Sequence, residues 1–383
     1  MCIFQFLFLF LLVDNTEITT MTMNTKAFIN LLQCGLWGRK ADCSLFTKDT
    51  NWETILEMAK QQAVIAITFD GLTMLAEEKW PPEEFRMKWL ALVVNIEQQN
   101  ERVNREVATI FQMTHKEQLH AILLKGQGTA TFYQQPLHRQ SGDIDLFFPN
   151  AFEKSNQLFR NQGCEVANET DKHVDINWNS VLVENHHKMT HWYNQEVDQK
   201  IQEVINQWSE WTPTKRTIQQ TEADIPHPLL NIFYTFLHAY HHFLLMGVGL
   251  RQLCDLAILV NYYRDEVDWD LLLHAAESCG YERGIQSFYY VMVKYIGLRP
   301  VIWNGKELFC RYGLDQRGER FFADCIRGGN FGFYGKYHTK KKKSSKTKQL
   351  IAIGHAVKRS LQVYHYYPQE IRSFLWTRLK QMT

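Results

Sequence analysis

The sequence predicts an α+β protein in which a small α/β unit is embedded between N- and C-terminal helical regions. Three observations carry this. Apolar residues recur at three- and four-residue steps from Asn24 to about Gln118. From Leu119 to about Ser180 the pattern changes to short apolar runs separated by glycine turns. From Pro226 the helical pattern returns and continues to the end. The implied divisions are a leader or misassigned start over 1–23, a helical region over 24–118, the α/β core over 119–225, and a helical domain over 226–383.

The bulk properties bound the function. At roughly 100–200 residues per domain, a chain of 383 residues allows two or three domains. A hydrophobic content of 45% supports a sizeable core and excludes global disorder. A net charge of +1 gives no argument for wholesale nucleic-acid binding, so DNA is not an expected partner and RNA is not favoured. The cysteines are scattered singly with no C-x-x-C, which argues against a zinc knuckle and fits reduced thiols in the cytoplasm. The segment Ile3 to Val13 is too short to span a bilayer, which takes about 20 apolar residues. It also lacks the basic flank and cleavage site of a signal peptide, so translation is expected to start at Met21 or Met23.

In the first helical region, Phe28, Leu31 and Leu32 mark a helix. Asn51 or Thr50 can cap a second through Trp52, Ile55 and Leu56, with Glu53 in its first turn. Ala63 to Leu75 reads as buried helix. Pro81-Pro82 and Glu83-Glu84 suit the start of a long amphipathic helix that runs past Phe111. In the central unit, Leu119–Leu124 reads as a strand, Gly128–Gln135 as a short helix and Asp143–Phe148 as a strand. Asn150 is expected to cap a helix over Ala151–Asn161. Short strands are expected at Cys164–Val166 and His173–Trp178.

Ile225 to Leu250 contains no Asp, Glu, Lys or Arg. Its length would allow a membrane span, but its histidines, Asn231 and two glycines favour a buried central helix, and no stable membrane insertion is expected. Further helices follow over Arg251–Arg264, Asp268–Cys279 and Ile285–Leu298. A basic linker over 338–348 precedes two closing helices split at Pro368.

The chemistry concentrates in Leu123–Phe148. On a strand, Asp143 and Asp145 point to one face while Ile144 and Leu146 point into the core. Two carboxylates in one place call for a cation. Mg²⁺ accepts carboxylates together with nucleotide phosphates. Gly142 permits close approach of a phosphate or another backbone. Gly126-Gln127-Gly128 leads into a helix, whose N-terminal N–H groups suit phosphate. Lys125 and Arg139 can add positive charge there, or serve as salt-bridge partners that hold the strand end and the loop. His238 and His242 are spaced as zinc ligands can be, but no H-E-x-x-H glutamate accompanies them, and helix packing is the favoured role.

Leu-Lys-Gly-Gln at 124–127, then Tyr133, Pro136 and Arg139, then Gly-Asp-Ile-Asp-Leu at 142–146, resembles the polymerase-β-type nucleotidyltransferase superfamily. More narrowly, nearly everything after Asn24 resembles a bacterial family of uncharacterised nucleotidyltransferases. The resemblance includes Gly35–Gly38, Ala59–Ile65, Ile96–Asn100, His238–Asp255 and Gly328–Gly332. It implies a polymerase-β-like mixed-sheet core. It also implies two Mg²⁺ ions, with Mn²⁺ as alternative, held by Asp143, Asp145 and a third carboxylate at Asp175. Lys125, Gly126, Gln127, Arg139 and Gly142 are then the expected nucleotide-binding set, with Gln127 where the superfamily has serine.

The implied reaction is attack of an acceptor hydroxyl on the α-phosphorus of a nucleoside triphosphate, releasing pyrophosphate. The acceptor is a sugar, a small molecule or a protein hydroxyl. The rival reading is a silent nucleotide-binding or scaffold protein that keeps the fold without turnover.

Overall fold

The computed structural model describes residues 21–309, 315–332, 354 and 356–380. Most of the leader (1–20) and the basic linker (338–348) lie outside these residues.

The N-terminal helices form where local signals place them. Helix α1 (Met23–Trp37) opens with the Thr22 hydroxyl accepting from the Thr25 N–H. It packs on α3 (Ile65–Thr73) with almost no gap: a Cβ at Gly35 would sit 1.8 Å from the Ile67 carbonyl oxygen, and one at Gly71 would sit 1.9 Å from that of Leu31. Helix α2 (Trp52–Gln61) is capped by Asn51, with Glu53 in its first turn. Helix α4 (Glu83–Lys116) runs 34 residues, about 51 Å at the standard rise. Its first half, through Trp89 and Val93, joins the main helical core. Its second half, through Val103, Val107, Ile110 and Phe111, covers the sheet. Buried Asn100 sits at the changeover, and its amide donates to the carbonyls of Leu137 and Arg139.

The sheet has six strands in the order β3-β4-β2-β1-β6-β5. They are β1 (Ile122–Leu123), β2 (Asp143–Phe147), β3 (His173–Trp178), β4 (Val181–His186), β5 (Thr214–Ile218) and β6 (Thr221–Ile225). The pairs β2–β4 and β1–β6 are parallel and the others antiparallel, so the sheet is mixed. Both hairpins turn on two residues with positive φ, Asn179-Ser180 and Gln219-Gln220, the backbone a primed turn requires. A four-residue helix α5 (Gln127–Ala130) follows β1, and α6 (Phe152–Asn161) follows β2. Two expectations are corrected here. Asn150 does not cap α6 but takes a left-handed turn (φ 56°) before it, and Ala151 is the cap. Cys164–Val166 forms only a bridge, Val166 to Ile176, in place of a strand.

After α7 (Gln195–Ser209) and the β5–β6 hairpin comes α8 (Pro228–Leu245), buried on nearly every side. Among the described residues, no helix is long and apolar enough to cross a membrane. Helices α9 (Leu250–Tyr262), α10 (Trp269–Ser278) and α11 (Glu282–Val291) surround it, the last continuing as a π-turn over Met292–Ile296. A small hairpin, β7 (Ile302–Trp303) with β8 (Lys306–Glu307), precedes α12 (Asp315–Gly328) and the closing α13 (Pro368–Lys380).

Candidate active site

Strand register assembles the site. On β2, Ile144 and Leu146 point into the sheet core, so Asp143 and Asp145 share the opposite face. The parallel neighbour β4 sets Glu184 beside Asp145 and His186 beside Phe147. The outer strand β3 sets Asp175 opposite Glu184 and His173 opposite His186. Three adjacent strands therefore present two aspartates, a glutamate, two histidines and Asp175 on one face. Behind them Val174, Ile176, Val183 and Phe159 fill the apolar side.

Asp143, Asp145 and Glu184 each offer an oxygen within 4.8 Å of the others. Asp145 is fully buried. Its Oδ1 faces Lys125 Nζ at 2.8 Å and His186 Nε2 at 3.1 Å, while its Oδ2 is buried with no hydrogen-bond partner. Lys125 Nζ is also 3.8 Å from Asp143. Burial opposes the lysine charge, but Asp145, Asp143 and Glu184 outweigh it and hold the ammonium above the ordinary lysine range. Burial likewise opposes the carboxylates. Lys125 and His186 still hold Asp145 below its usual range, and a hydrogen bond from His186 with the charge of Lys125 brings Glu184 down to about 2. Three carboxylates facing two nitrogen groups, with one buried oxygen left unpaired, form a donor set that fits a hard divalent cation.

The other expected residues fall in several places. Gly126 (φ 60°, ψ −118°) makes the turn after β1, in a backbone region open to glycine, and a Cβ there would meet Ser141 Oγ at 3.3 Å. Gly142 is open: a Cβ would meet nothing within 4 Å. Gln127 is buried, and its amide nitrogen donates to Asn104 Oδ1 at 2.5 Å and to the Asn100 carbonyl at 3.3 Å. Its side chain thus braces the turn against α4, where a phosphate contact was expected. Arg139 is buried, donating from Nε and Nη2 to the two oxygens of Asp255 at 2.8 Å each. Of the two roles expected for it, the structure displays the loop clamp. Asp175 is half exposed and lies 3.2 Å from His173 Nε2, outside the acidic cluster. Glu184, rather than Asp175, lies within 4.8 Å of Asp143 and Asp145.

Sequence reading missed Glu184, His173 and His186. The available signal was the alternation in VLVENH after the Asn179-Ser180 turn, a hairpin signature that would have set β4 beside β3. It also missed the buried hydroxyl of Ser141, which has no hydrogen-bond partner, and gave Arg251 no contact of its own. The Arg251 side chain is half-buried, donates to the Gln140 carbonyl at 2.7 Å and makes no ion pair among the described residues. Burial and the like charge of Arg139 press it below the usual arginine range.

Helix α8 turns Tyr234, His238 and His242 toward this face. Burial first, then the charges of Asp145, Glu184 and Asp143, raises the Tyr234 phenol well above its usual range. Burial, with Lys125 adding, holds His238 and His242 well below theirs, so both are neutral at pH 7. Their rings touch at 4.5 Å, and among the described residues neither belongs to a metal-ligand group. His241 points elsewhere, against Trp192 and Tyr193.

Two alternating aspartates, a neighbouring glutamate and an upstream glycine turn thus share one end of a mixed sheet. The chain belongs to the uncharacterised nucleotidyltransferase family, whose model matches residues 48–297. Among solved structures, it is similar to an antigenic nucleotidyltransferase-like protein from Paracoccidioides brasiliensis. That match has 12% identity and a TM-score of 0.33, over 53% of this chain and 94% of the other. None of the curated proteins matches the chain.

Proposed function

We propose that this protein transfers a nucleoside monophosphate from a nucleoside triphosphate to an acceptor hydroxyl and releases pyrophosphate, with Mg²⁺ held by Asp143, Asp145 and Glu184. The observation that carries this is the convergence of three carboxylates within 4.8 Å of one another, with Oδ2 of Asp145 buried and unpartnered. When bound there, Mg²⁺ lowers the pKa of the attacking hydroxyl and offsets charge on the triphosphate.

The chain's own groups do the positioning. Lys125 balances the carboxylates from the strand end and is the cation nearest to them for a phosphate to meet. Arg251 is a half-buried cation with no carboxylate ion pair among the described residues, which suits it to the triphosphate tail. The unpartnered Ser141 hydroxyl beside Gly126 supplies the contact that a serine makes elsewhere in the superfamily. Arg139 and Gln127 keep the two loops in place. The balanced net charge favours a sugar, small-molecule or protein acceptor over a nucleic acid. The singly scattered cysteines support a cytoplasmic setting.

The test is incubation with α-labelled nucleoside triphosphates and Mg²⁺ against pools of sugars, small metabolites and proteins. Label transfer that is lost in Asp143→Asn and Glu184→Gln supports the proposal. Nucleotide binding with no transfer to any pool overturns it in favour of a silent binding protein.

A further inference from the structure

Beside the acidic cluster lies a group of different chemistry. His173 and His186 stand opposite each other on β3 and β4, and Glu184 shares their face. One ligand atom from each of these three residues lies within 4.8 Å of the others. Glu184 Oε2 is 3.3 Å from His186 Nε2 and 3.6 Å from His173 Nδ1. Donors bound at about 2.0–2.1 Å to one tetrahedral cation stand about 3.3–3.4 Å apart. The side chains are already near that spacing.

The far nitrogen of each ring shows which near nitrogen is on offer. His186 Nδ1 lies 3.2 Å from the Lys188 carbonyl, which can only accept, so Nδ1 donates there, and Nε2 is the nitrogen that a cation would take in place of the proton it now shares with Asp145 at 3.1 Å and Glu184 at 3.3 Å. His173 Nε2 lies 3.2 Å from Asp175 Oδ1, which draws the ring proton to that nitrogen. His173 Nδ1 is then the free nitrogen, and it is buried with no hydrogen-bond partner. Metal-binding imidazoles characteristically donate their second N–H to a backbone carbonyl or a carboxylate. One of each backs these two rings.

We propose that His173, Glu184 and His186 form a second cation site for a first-row divalent transition ion such as Zn²⁺ or Co²⁺, open to Mn²⁺ as a paramagnetic probe, joined to the Asp143–Asp145 position through shared Glu184. Imidazole nitrogen selects first-row transition ions, whereas an oxygen-only position suits Mg²⁺. The two positions therefore differ in preference. Asp175 becomes a positioning residue that fixes the His173 ring. The inference shares the cation reading of Glu184 but not the transfer chemistry.

The test uses the full-length, metal-stripped protein titrated with Mn²⁺ and followed by pulsed EPR. Two directly coordinated imidazole ¹⁴N couplings are expected. His173→Gln and His186→Gln should each remove one coupling and weaken Mn²⁺ binding at least 10-fold. Asp175→Asn, a change at a half-exposed side chain, should keep both couplings and weaken Mn²⁺ by about 10–100-fold. Circular dichroism confirms folding, and if His186→Gln does not fold, the other two variants decide. Mn²⁺ bound without ¹⁴N coupling, no Mn²⁺ binding, or unchanged affinity in both His173→Gln and Asp175→Asn overturns the site. Nitrogen-coupled Mn²⁺ without label transfer sinks the proposed activity alone. Transfer with an oxygen-only Mn²⁺ signal sinks this site alone.

Discussion

Arg139 and Asp255 form a two-pronged ion pair in the interior, Nε to Oδ1 and Nη2 to Oδ2, each at 2.8 Å. The Tyr133 hydroxyl donates to the same Oδ1 at 2.7 Å. The pair ties the loop before β2 to α9, across 116 residues of chain. A buried pair is worth little against an apolar substitute, but losing one partner strands a charge.

Asp255→Asn or Arg139→Met should therefore cost about 3–5 kcal/mol in urea unfolding. The double change Arg139→Met with Asp255→Leu should recover most of that loss. A double variant as unstable as the sum of the singles would show that the pair does not act as a unit.

Lys125 is the resident counter-charge of the carboxylates, with Nζ 2.8 Å from Asp145. Lys125→Met should lower the melting temperature in EDTA, because the buried carboxylate loses its cation. Mg²⁺ should then raise the melting temperature more in the variant than in the wild type. At 100 times Kd the ligand term is about 2.7 kcal/mol. Equal Mg²⁺ shifts in the two proteins would refute this role.

Arg251 makes no ion pair among the described residues and donates to the Gln140 carbonyl. Arg251→Gln should weaken binding of a non-hydrolysable nucleoside triphosphate at least 10-fold, about 1.4 kcal/mol, by calorimetry. Its unfolding free energy should fall less than that of Arg139→Met. Unchanged nucleotide affinity would remove Arg251 from the site.

Glu370 on α13 is buried and accepts from the N–H groups of Tyr193 and Asn194 at 2.8 and 2.9 Å. Burial outweighs those bonds and raises its carboxyl from 4.5 to about 7. The folded state then holds a proton that the unfolded state has released, so this contribution is full below pH 4.5 and is lost as pH rises to 7. The shift corresponds to about 3 kcal/mol. Glu370→Gln should remove that part of the slope, seen as melting curves of the two proteins that diverge between pH 5 and 8. Parallel curves would refute it.

Much of the framework was legible in the sequence because its signals are local. Asn51 and Glu53 announce α2, and Pro81 to Glu84 announce α4. The alternation Asp143-Ile144-Asp145-Leu146 places two carboxylates opposite two core residues whatever else the chain does. Glu184 was only partly legible: the alternation in VLVENH marks a strand beside β3, but Glu184 joins Asp145 only through parallel pairing of β2 with β4. Gln127 and Arg139 have residue types that suit phosphate, and only the positions of Asn104 and Asp255 show how they are engaged. Helix α8, free of Asp, Glu, Lys and Arg, reads as a buried helix from its histidines and Asn231, and the structure buries it on nearly every side.

The sequence by itself determined the N-terminal helices, the glycine turn at Gly126 and the acidic pair on β2. Periodicity, capping and turn backbone are set within a few residues. Only the tertiary structure decided which side chains share the site. That choice depends on strand register and on burial of charges from distant segments, where a lone buried charge is costly and a paired one is tolerated. It set Glu184 beside Asp145, moved Asp175 behind His173, and spent Arg139 on Asp255.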